Sequence, residues 1–221
     1  MRQEGRYIDN MDVDGPMPPH IKDVFEGLRY EITWLHAKWA IYSQLFCHGA
    51  EQLTFLDSMT PGFFVVIRDS LENDLIVGLC RLTDPSTTGR RENLTLARLK
   101  ETLNSEEEEE EDLKRVFDLR LEKIDRTCSP FREWRNRRLA HTDFPTALGQ
   151  SQTPLPGVAW EAIDAALRQV GSLMNLVQIH FLDSEFDYRS FTDLNDGEEV
   201  VFYLREAQRY EEEERMRVLG K

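Results

Sequence analysis

Three side chains of one short segment could together cleave RNA without a metal. Asn136 follows Arg135 directly, and His141 lies six positions after that arginine. A histidine exchanges protons near neutral pH, so it can act as a general acid or base. An arginine holds phosphate oxygens with a planar fork and keeps its charge. The segment 131–141 carries four arginines against one acid, Glu133, within an acidic chain.

Length, charge and composition restrict the classes of protein to which the chain can belong. Its 221 residues are 40% hydrophobic, enough for one domain with a substantial core, and its net charge is −14. That charge argues against a protein that coats nucleic acid, although it leaves room for a nuclease with a small local site. Without a long apolar run or a signal-peptide core, the sequence predicts a cytoplasmic protein with no membrane contact.

The cysteines and histidines do not predict a metal or a disulfide. Cys47, Cys80 and Cys128 lie far apart without a C-x-x-C pair, which predicts three buried thiols. The four histidines outside the segment lack metal-ligand spacing, and we expect them to be structural or exposed. They are His20, His36, His48 and His180. We expect neither a metal nor a cofactor.

Apolar residues recur at helical spacing through most of the chain. A first long helix is predicted by a stripe that repeats every three or four positions. The stripe consists of Phe25, Leu28, Ile32, Leu35, Trp39, Tyr42 and Phe46. A second helix is predicted from about 63 to 83, where Asp84-Pro85 ends it. A short third helix follows, with Asn93 or Thr95 as its N-cap.

The second half of the chain shows the same periodicity. The acidic run Glu106–Glu111 is typical of a solvated turn and helix start, and the helix that follows reaches Cys128. Ser129-Pro130 is a helix-start signal, so 131–141 is predicted as a separate short helix or a kinked continuation. Further helices are predicted over about 160–181 and from Asp196 or Gly197, the last with a fraying charged end over 210–221.

These elements predict one all-α domain. No stretch of convincing length alternates with a strand period, and antiparallel neighbours are the simplest arrangement for long helices. We therefore expect an antiparallel helical bundle of four to five main helices with short additional ones, over residues 16–221. Residues 1–15 are polar and rich in aspartate, which predicts a disordered lead-in.

Two motifs resemble a known superfamily. Arg135-Asn136, followed after four residues by His141, is similar to the arginine–polar–x(4–6)–histidine signature of the HEPN superfamily. The R-L-T-D motif at 81–84, the N-L-T-L motif at 93–96 and R-L-A-H at 138–141 resemble AbiU-type abortive-infection HEPN proteins. The similarity covers roughly residues 20–205 in the order of elements.

The resemblance implies a HEPN-like bundle that forms a homodimer, in which the signature helices of two protomers build a composite cleft. Many such proteins are metal-independent endoribonucleases in phage defence or toxin–antitoxin systems, and others have no demonstrated activity. It therefore implies an RNA substrate and an antitoxin or regulatory protein as a partner. Some HEPN toxins carry a tyrosine two residues after the histidine, which a partner modifies. Asp143 occupies that position here.

The chemistry assigns roles to the residues of this cleft. His141 would be the general acid or base and Arg135 the phosphate clamp, with Asn136 orienting the histidine or the phosphate. On an ideal α-helix, Arg135 lies about 120° away from His141. Arg137 and Arg138 are the helical neighbours of His141, so we expect them to bind substrate. Arg138 is the geometric alternative for the phosphate role.

Other interpretations compete with a nuclease. A short helix with several arginines is often a solvated, salt-bridged face, and a histidine near its end is often only a charge–dipole contact. The chain could be a non-catalytic HEPN-like module that binds RNA, a nucleotide or a protein, or a helical interaction protein. For Arg81 and Asp84 we expect a buried arginine–aspartate pair or a helix-end contact rather than a catalytic role.

Overall fold

The structure, a computed structural model, describes residues 17–103, 108–139, 157–190 and 195–220, together with residues 144, 148, 150 and 155. Seven α-helices occur within these ranges. They are α1 (Pro19–Phe46), α2 (Ala50–Met59), α3 (Pro61–Thr83), α4 (Leu96–Thr102), α5 (Glu108–Trp134), α6 (Trp160–Leu182) and α7 (Asp196–Val218). A π-helical turn, Arg135–Leu139, follows α5. Two-residue strands, β1 (Thr87–Thr88) and β2 (Arg91–Glu92), form a small antiparallel hairpin.

Contacts between side chains establish the directions of the long helices. Lys38 of α1 pairs with Asp74, and Glu31 pairs with Arg81, so α1 and α3 are antiparallel. The Trp39 indole donates to Asp164, which lies near the start of α6. His36, nearly one turn earlier on α1, lies against Gly171 of α6. These contacts make α1 and α6 antiparallel as well.

Helix α5 completes the bundle. Arg120 donates to Ser172, and the Thr127 hydroxyl donates to Gln169, so α5 and α6 run in opposite directions. Helices α1 and α5 therefore point one way, and α3 and α6 the other. The predicted all-α antiparallel bundle is confirmed, with α2, α4 and α7 as additions.

The core lies where the apolar faces of these four helices meet. Every residue of the predicted α1 stripe is buried. Phe25, Leu75, Phe117 and Val170 each have no exposed surface and represent α1, α3, α5 and α6. Full burial of one such side chain contributes roughly 1.5–3 kcal/mol relative to exposure. Helical periodicity therefore identified the buried faces correctly.

The proline in α5 does not begin a new helix. Of the two predicted alternatives, the separate helix after Ser129-Pro130 is wrong and the continuation of the preceding helix is correct, because α5 continues through Pro130 to Trp134. A proline inside a helix removes one backbone hydrogen bond and costs roughly 3 kcal/mol. Cys128 and Phe131, on either side of it, are 0% and 1% exposed. Burial of this seam on both sides of the proline offsets the local penalty.

Other connections were missed or left open by the sequence. Helix α2 was not predicted, and it begins after Gly49, whose φ of 95° suits a glycine. Thr95 is the N-cap of α4, since its hydroxyl accepts from the Arg98 amide at 3.1 Å. The Asn93 side chain instead donates to the Pro85 carbonyl and to Thr88 within the hairpin connection.

The last helix begins where the sequence predicted, but its end differs from the prediction. Helix α7 begins at Asp196, as one of the two predicted starts, and the Gly197 amide donates to the Gln44 side chain of α1. The predicted fraying of its charged end is not observed, because the helix continues to Val218. Ion pairs three or four residues apart, such as Arg209 with Glu206, accompany this extension.

Some predictions concern residues outside the described ranges. These include the lead-in over 1–15 and the first residues of the acidic run, since α5 begins at Glu108 within that run. Within the described ranges, no helix has the length and apolar character needed to cross a membrane.

Candidate functional site

The signature arginines lie on a change of helix type. At Arg135 the chain leaves the α-helix and makes a π turn through Leu139, in which no residue is buried. Single π turns are rare and often occur at functional sites. An ideal α-helix is therefore the wrong reference for the spacing between Arg135 and His141. His141 itself, like Asp143, lies outside the described residues.

Arg135 is held by the end of helix α3. Its Nη1 lies 2.6 Å from Oδ2 of Asp84, and its Nε donates to Oδ1 of Asn136 at 3.2 Å. The side chains of Arg135 and Asp84 are 22% and 25% exposed, so solvent screens this pair less than a surface pair. The side chains of Asn136 and Asp84 thus both contact Arg135.

A second arginine of the segment contacts the same end of α3. Arg132 donates from Nη1 to the Thr83 hydroxyl at 3.0 Å, and from Nη2 to the Asp125 carbonyl at 2.7 Å. Its Nη1 also lies 3.3 Å from the Asp125 carboxylate. Thr83 itself donates to the Leu79 carbonyl, which leaves its oxygen lone pairs for Arg132.

The R-L-T-D motif is therefore a docking point for the signature segment. The buried arginine–aspartate pair expected for Arg81 and Asp84 is not formed, because Asp84 pairs with Arg135 instead. Arg81 is largely exposed and lies 3.8 Å from Glu31 of α1. The prediction of a helix-end contact is met by Asp84, which is the C-cap residue of α3.

Arg137 and Arg138 have different surroundings. Arg137 pairs with Glu133, one turn earlier, at 2.8 Å. The guanidinium of Arg138 lies over the Trp134 ring, 5.1 Å from its centroid, which is a cation–π contact. Among the described residues, no carboxylate lies within ion-pair distance of Arg138. Of the two arginines predicted to bind substrate, Arg138 is the one whose charge is less compensated.

A half-buried carboxylate on α3 lies within electrostatic reach of Arg138. Burial raises the pKa of Glu72, while the Tyr42 hydroxyl, Arg68 and Arg138 act in the opposite direction. The Tyr42 hydroxyl lies 3.5 Å from Glu72, and the Tyr42 ring stacks on Trp39. Arg138 thus contributes to the electrostatic environment of Glu72 in the middle of α3.

Local charge is more balanced than the sequence suggests. Three of the four arginines of the segment are paired with carboxylates, namely Asp125, Asp84 and Glu133. Two of those acids lie outside the segment, so the local excess of positive charge is small. The arrangement can hold a phosphate at defined positions, but it does not form a broad basic surface.

Two of the three cysteines are buried in the core. Cys80 and Cys128 have no exposed surface, and burial raises the pKa of their thiols to about 11 and about 12. Cys47 is only partly buried, which corrects the prediction for that residue, although burial still raises its pKa to about 11. Thiols with such pKa values are poor nucleophiles at neutral pH.

A cavity lies elsewhere in the bundle. It has a volume of about 610 Å³ and opens between α6 and the segment 185–189. Its arginines include Arg120, which donates to Ser172, and Arg168, which pairs with Asp164. Both guanidinium groups therefore already have hydrogen-bond or ion-pair partners within the protein. Among the described residues, no group of three histidine, cysteine or acidic side chains could hold a metal ion.

Comparison with known proteins supports the resemblance. The model of the family described as AbiU2, a HEPN family, matches residues 19–201. This range includes the R-L-T-D motif, the π turn and four long helices. Comparison with curated proteins and with solved structures gives no match.

Proposed function

Because the chain belongs to the HEPN AbiU2 family, we propose that it is a metal-independent endoribonuclease. The ribose 2′-OH attacks the adjacent phosphorus, and the 5′-oxygen leaves with a proton. His141 acts as general acid or base in this transfer. The family's name suggests a role in abortive infection, so we place the enzyme in phage defence or a toxin–antitoxin-like system with an antitoxin or regulatory protein as a partner.

The observation that carries the proposal is the fixed orientation of Arg135. A guanidinium has five N–H groups, and Arg135 uses one toward Asp84 and one toward Asn136. The remaining donors can bind the oxygens of a phosphate whose negative charge grows in the transition state. A cation that is already oriented stabilises that state without first losing conformational entropy.

Arg138 is the second phosphate ligand in this proposal. Stacking on Trp134 orients the Arg138 guanidinium without neutralising its charge. Arg137, which pairs with Glu133, contributes less to substrate binding than Arg138. Asn136 supports Arg135 through its side-chain oxygen, which gives the amide a positioning role beside the arginine.

We further propose that two copies of the chain form the composite cleft. Phe63, Val65 and Val66, in the N-terminal half of α3, are exposed apolar side chains. Glu72, which Arg138 reaches electrostatically, lies six residues beyond Val66, or roughly 9 Å along the helix. A second copy that covers this apolar face would bring two π turns close to each other.

A cleavage assay in EDTA tests the proposal. We expect the wild-type protein to cut RNA and to leave 2′,3′-cyclic phosphate ends. His141→Ala should lower the rate by about 10²–10⁴, and Arg135→Ala by about 10²–10³. Arg115→Ala is a matched control, since Arg115 is an exposed arginine of α5 that pairs only locally, with Asp112. Intact RNA with the wild-type protein, across several substrates, would contradict the proposal.

The charge balance favours one alternative, a non-catalytic module that binds RNA, a nucleotide or a protein. Asp84, Asp125 and Glu133 neutralise much of the segment, and the whole chain carries −14. Such a module would bind RNA saturably without turnover, and Arg135→Ala would abolish the binding. Binding by the wild-type protein without product formation distinguishes this alternative from the nuclease.

A further inference from the structure

We propose that Asp84 is a positioning residue for Arg135, and that the end of α3 thereby sets the geometry of the phosphate site. The inference rests on the proposed nuclease function. It assigns a role to the R-L-T-D motif, whose Asp84 lies 51 positions before the signature arginine. Asp84 acts through the arginine and does not touch the substrate.

Two contacts fix the plane of the Arg135 guanidinium. Asp84 accepts from Nη1 at 2.6 Å, and Asn136 accepts from Nε at 3.2 Å. These donors lie at opposite sides of the group, so the position of Nη2 follows from them. Nη2 donates to none of the described residues, so its two N–H groups are available to a phosphate. With either contact removed, the long side chain would rotate more freely.

The location of Asp84 is unfavourable for helix α3 alone. It is the C-cap residue, where the last carbonyls of the helix carry partial negative charge. An acid there repels the helix end, whereas a lysine or arginine would stabilise it. A charge that opposes its own helix indicates a requirement from outside that helix. Arg135 supplies the compensating charge.

The residues on the core side of the Asp84–Arg135 pair are buried. Leu79 and Cys80, one turn before Asp84, have no exposed surface. Phe131, one turn before Arg135, is 1% exposed. The backbone at Asp84 and at Arg135 is therefore anchored in the core. The packing of α3 against α5 sets the distance between the two side chains. Residues locked in this way can orient a site group accurately.

Asp84→Asn is the test, because asparagine keeps the shape and one acceptor but removes the charge. We expect its single-turnover cleavage rate to fall tenfold or more, with little change in substrate KM. Asp84→Glu restores the charge and should recover part of the rate. Asp125→Asn is the matched control, since it removes the carboxylate of the neighbouring Arg132 pair, which is not a signature arginine. Its cleavage rate should stay within twofold of wild type.

Circular dichroism and melting temperature show whether the variants fold. If Asp84→Asn cleaves as fast as wild type, the pair is only structural and the inference is wrong. If it cleaves faster or binds RNA more tightly in the His141→Ala background, Asp84 competes with phosphate, and the inference is wrong again. If the wild-type protein itself neither binds nor cleaves RNA, the proposed function fails, and the inference fails with it. The wild-type measurement separates these cases.

Discussion

His36 is a buried histidine on the inner face of α1. It is 4% exposed, stacks on Tyr188, and has no hydrogen-bond partner at Nε2 among the described residues. Burial lowers its pKa to about 4, and the Leu167 carbonyl acts in the opposite direction. The protonated ring is therefore unstable in the folded protein. This outcome agrees with the sequence interpretation of a structural histidine.

His36 makes folding dependent on pH. Below its ordinary pKa of about 6.5, the unfolded chain takes up a proton that the folded chain refuses until about pH 4. The contribution of neutral His36 to the free energy of unfolding is thus fully present above a pH of about 6.5, and it is lost as the pH falls toward about 4. Between pH 7.5 and 5 we expect His36 to remove about 2 kcal/mol of the free energy of unfolding.

Denaturant titrations of wild type and His36→Gln at both pH values check this expectation. The glutamine variant should lose less stability on acidification, because other groups titrate equally in both proteins. His48→Gln, at an exposed histidine, should keep the wild-type pH dependence. Equal losses in wild type and His36→Gln would show that His36 does not control acid stability.

Single residues also show where sequence interpretation stops. Arg135 and Asn136 were identifiable because their motif is local in the chain. The partner Asp84 was not, because its contact arises only when α3 packs against α5. The sequence analysis considered Asp84 only together with Arg81 of the same motif, and it did not predict a contact with Arg135. The contact between Arg138 and Trp134 was not predicted either, because none of the motifs includes Trp134.

At the scale of elements, the sequence predicted the buried apolar stripes of the helices better than the helix boundaries. The buried seam of α1 followed from spacing alone. At Ser129-Pro130 the sequence left a new helix and a continuation open, and burial of Cys128 and Phe131 favours the continuation that the structure shows. The π turn could not be predicted, because its residues have ordinary helical propensity.

The contact between α1 and α3 depends on a glycine. A Cβ at Gly78 would overlap the side chain of Leu35, which is 4% exposed in the core. Leu35 has little space to move in a close-packed interior. Gly78→Ala should therefore lower the free energy of unfolding by about 1–3 kcal/mol, measured by denaturant titration.

The same helix offers a control for this prediction. A Cβ at Gly62 would meet no atom within 4 Å, so Gly62→Ala should be neutral or slightly stabilising. The double variant Gly78→Ala with Leu35→Ala should lose less than the sum of its single losses, because the overlap disappears. If Gly78→Ala is as stable as wild type, the helices do not require this close approach.

For the molecule as a whole, helical periodicity predicted the fold class and left the assembly open. Helical stripes indicated an all-α bundle, and the structure confirms it. Oligomeric state depends on exposed surfaces, which periodicity does not reveal. Phe63 and Val66 are 60% and 62% exposed, although α3 carries apolar residues on several sides. A helix with apolar residues all round is usually buried, so this half of α3 is suited to a protein interface.

The proposed composite cleft depends on the proposed interface. Val66→Glu introduces a charge into the exposed apolar face of α3 without disturbing a buried residue. We expect it to convert a dimer into a monomer, because a buried unpaired carboxylate opposes association strongly. Sedimentation or light scattering measures the mass, and the cleavage assay should show a parallel loss of activity at an unchanged melting temperature.

Leu119→Glu is the matched control for this experiment. Leu119 is 61% exposed, which is close to Val66, but it lies on the N-terminal half of α5, far along that helix from the π turn. Its variant should remain dimeric and active, since it adds the same charge at a surface outside the proposed interface. A Val66→Glu protein with the mass and activity of wild type would place the dimer contact elsewhere. A monomeric wild-type protein that cleaves RNA would show that one copy of the π turn is sufficient for catalysis.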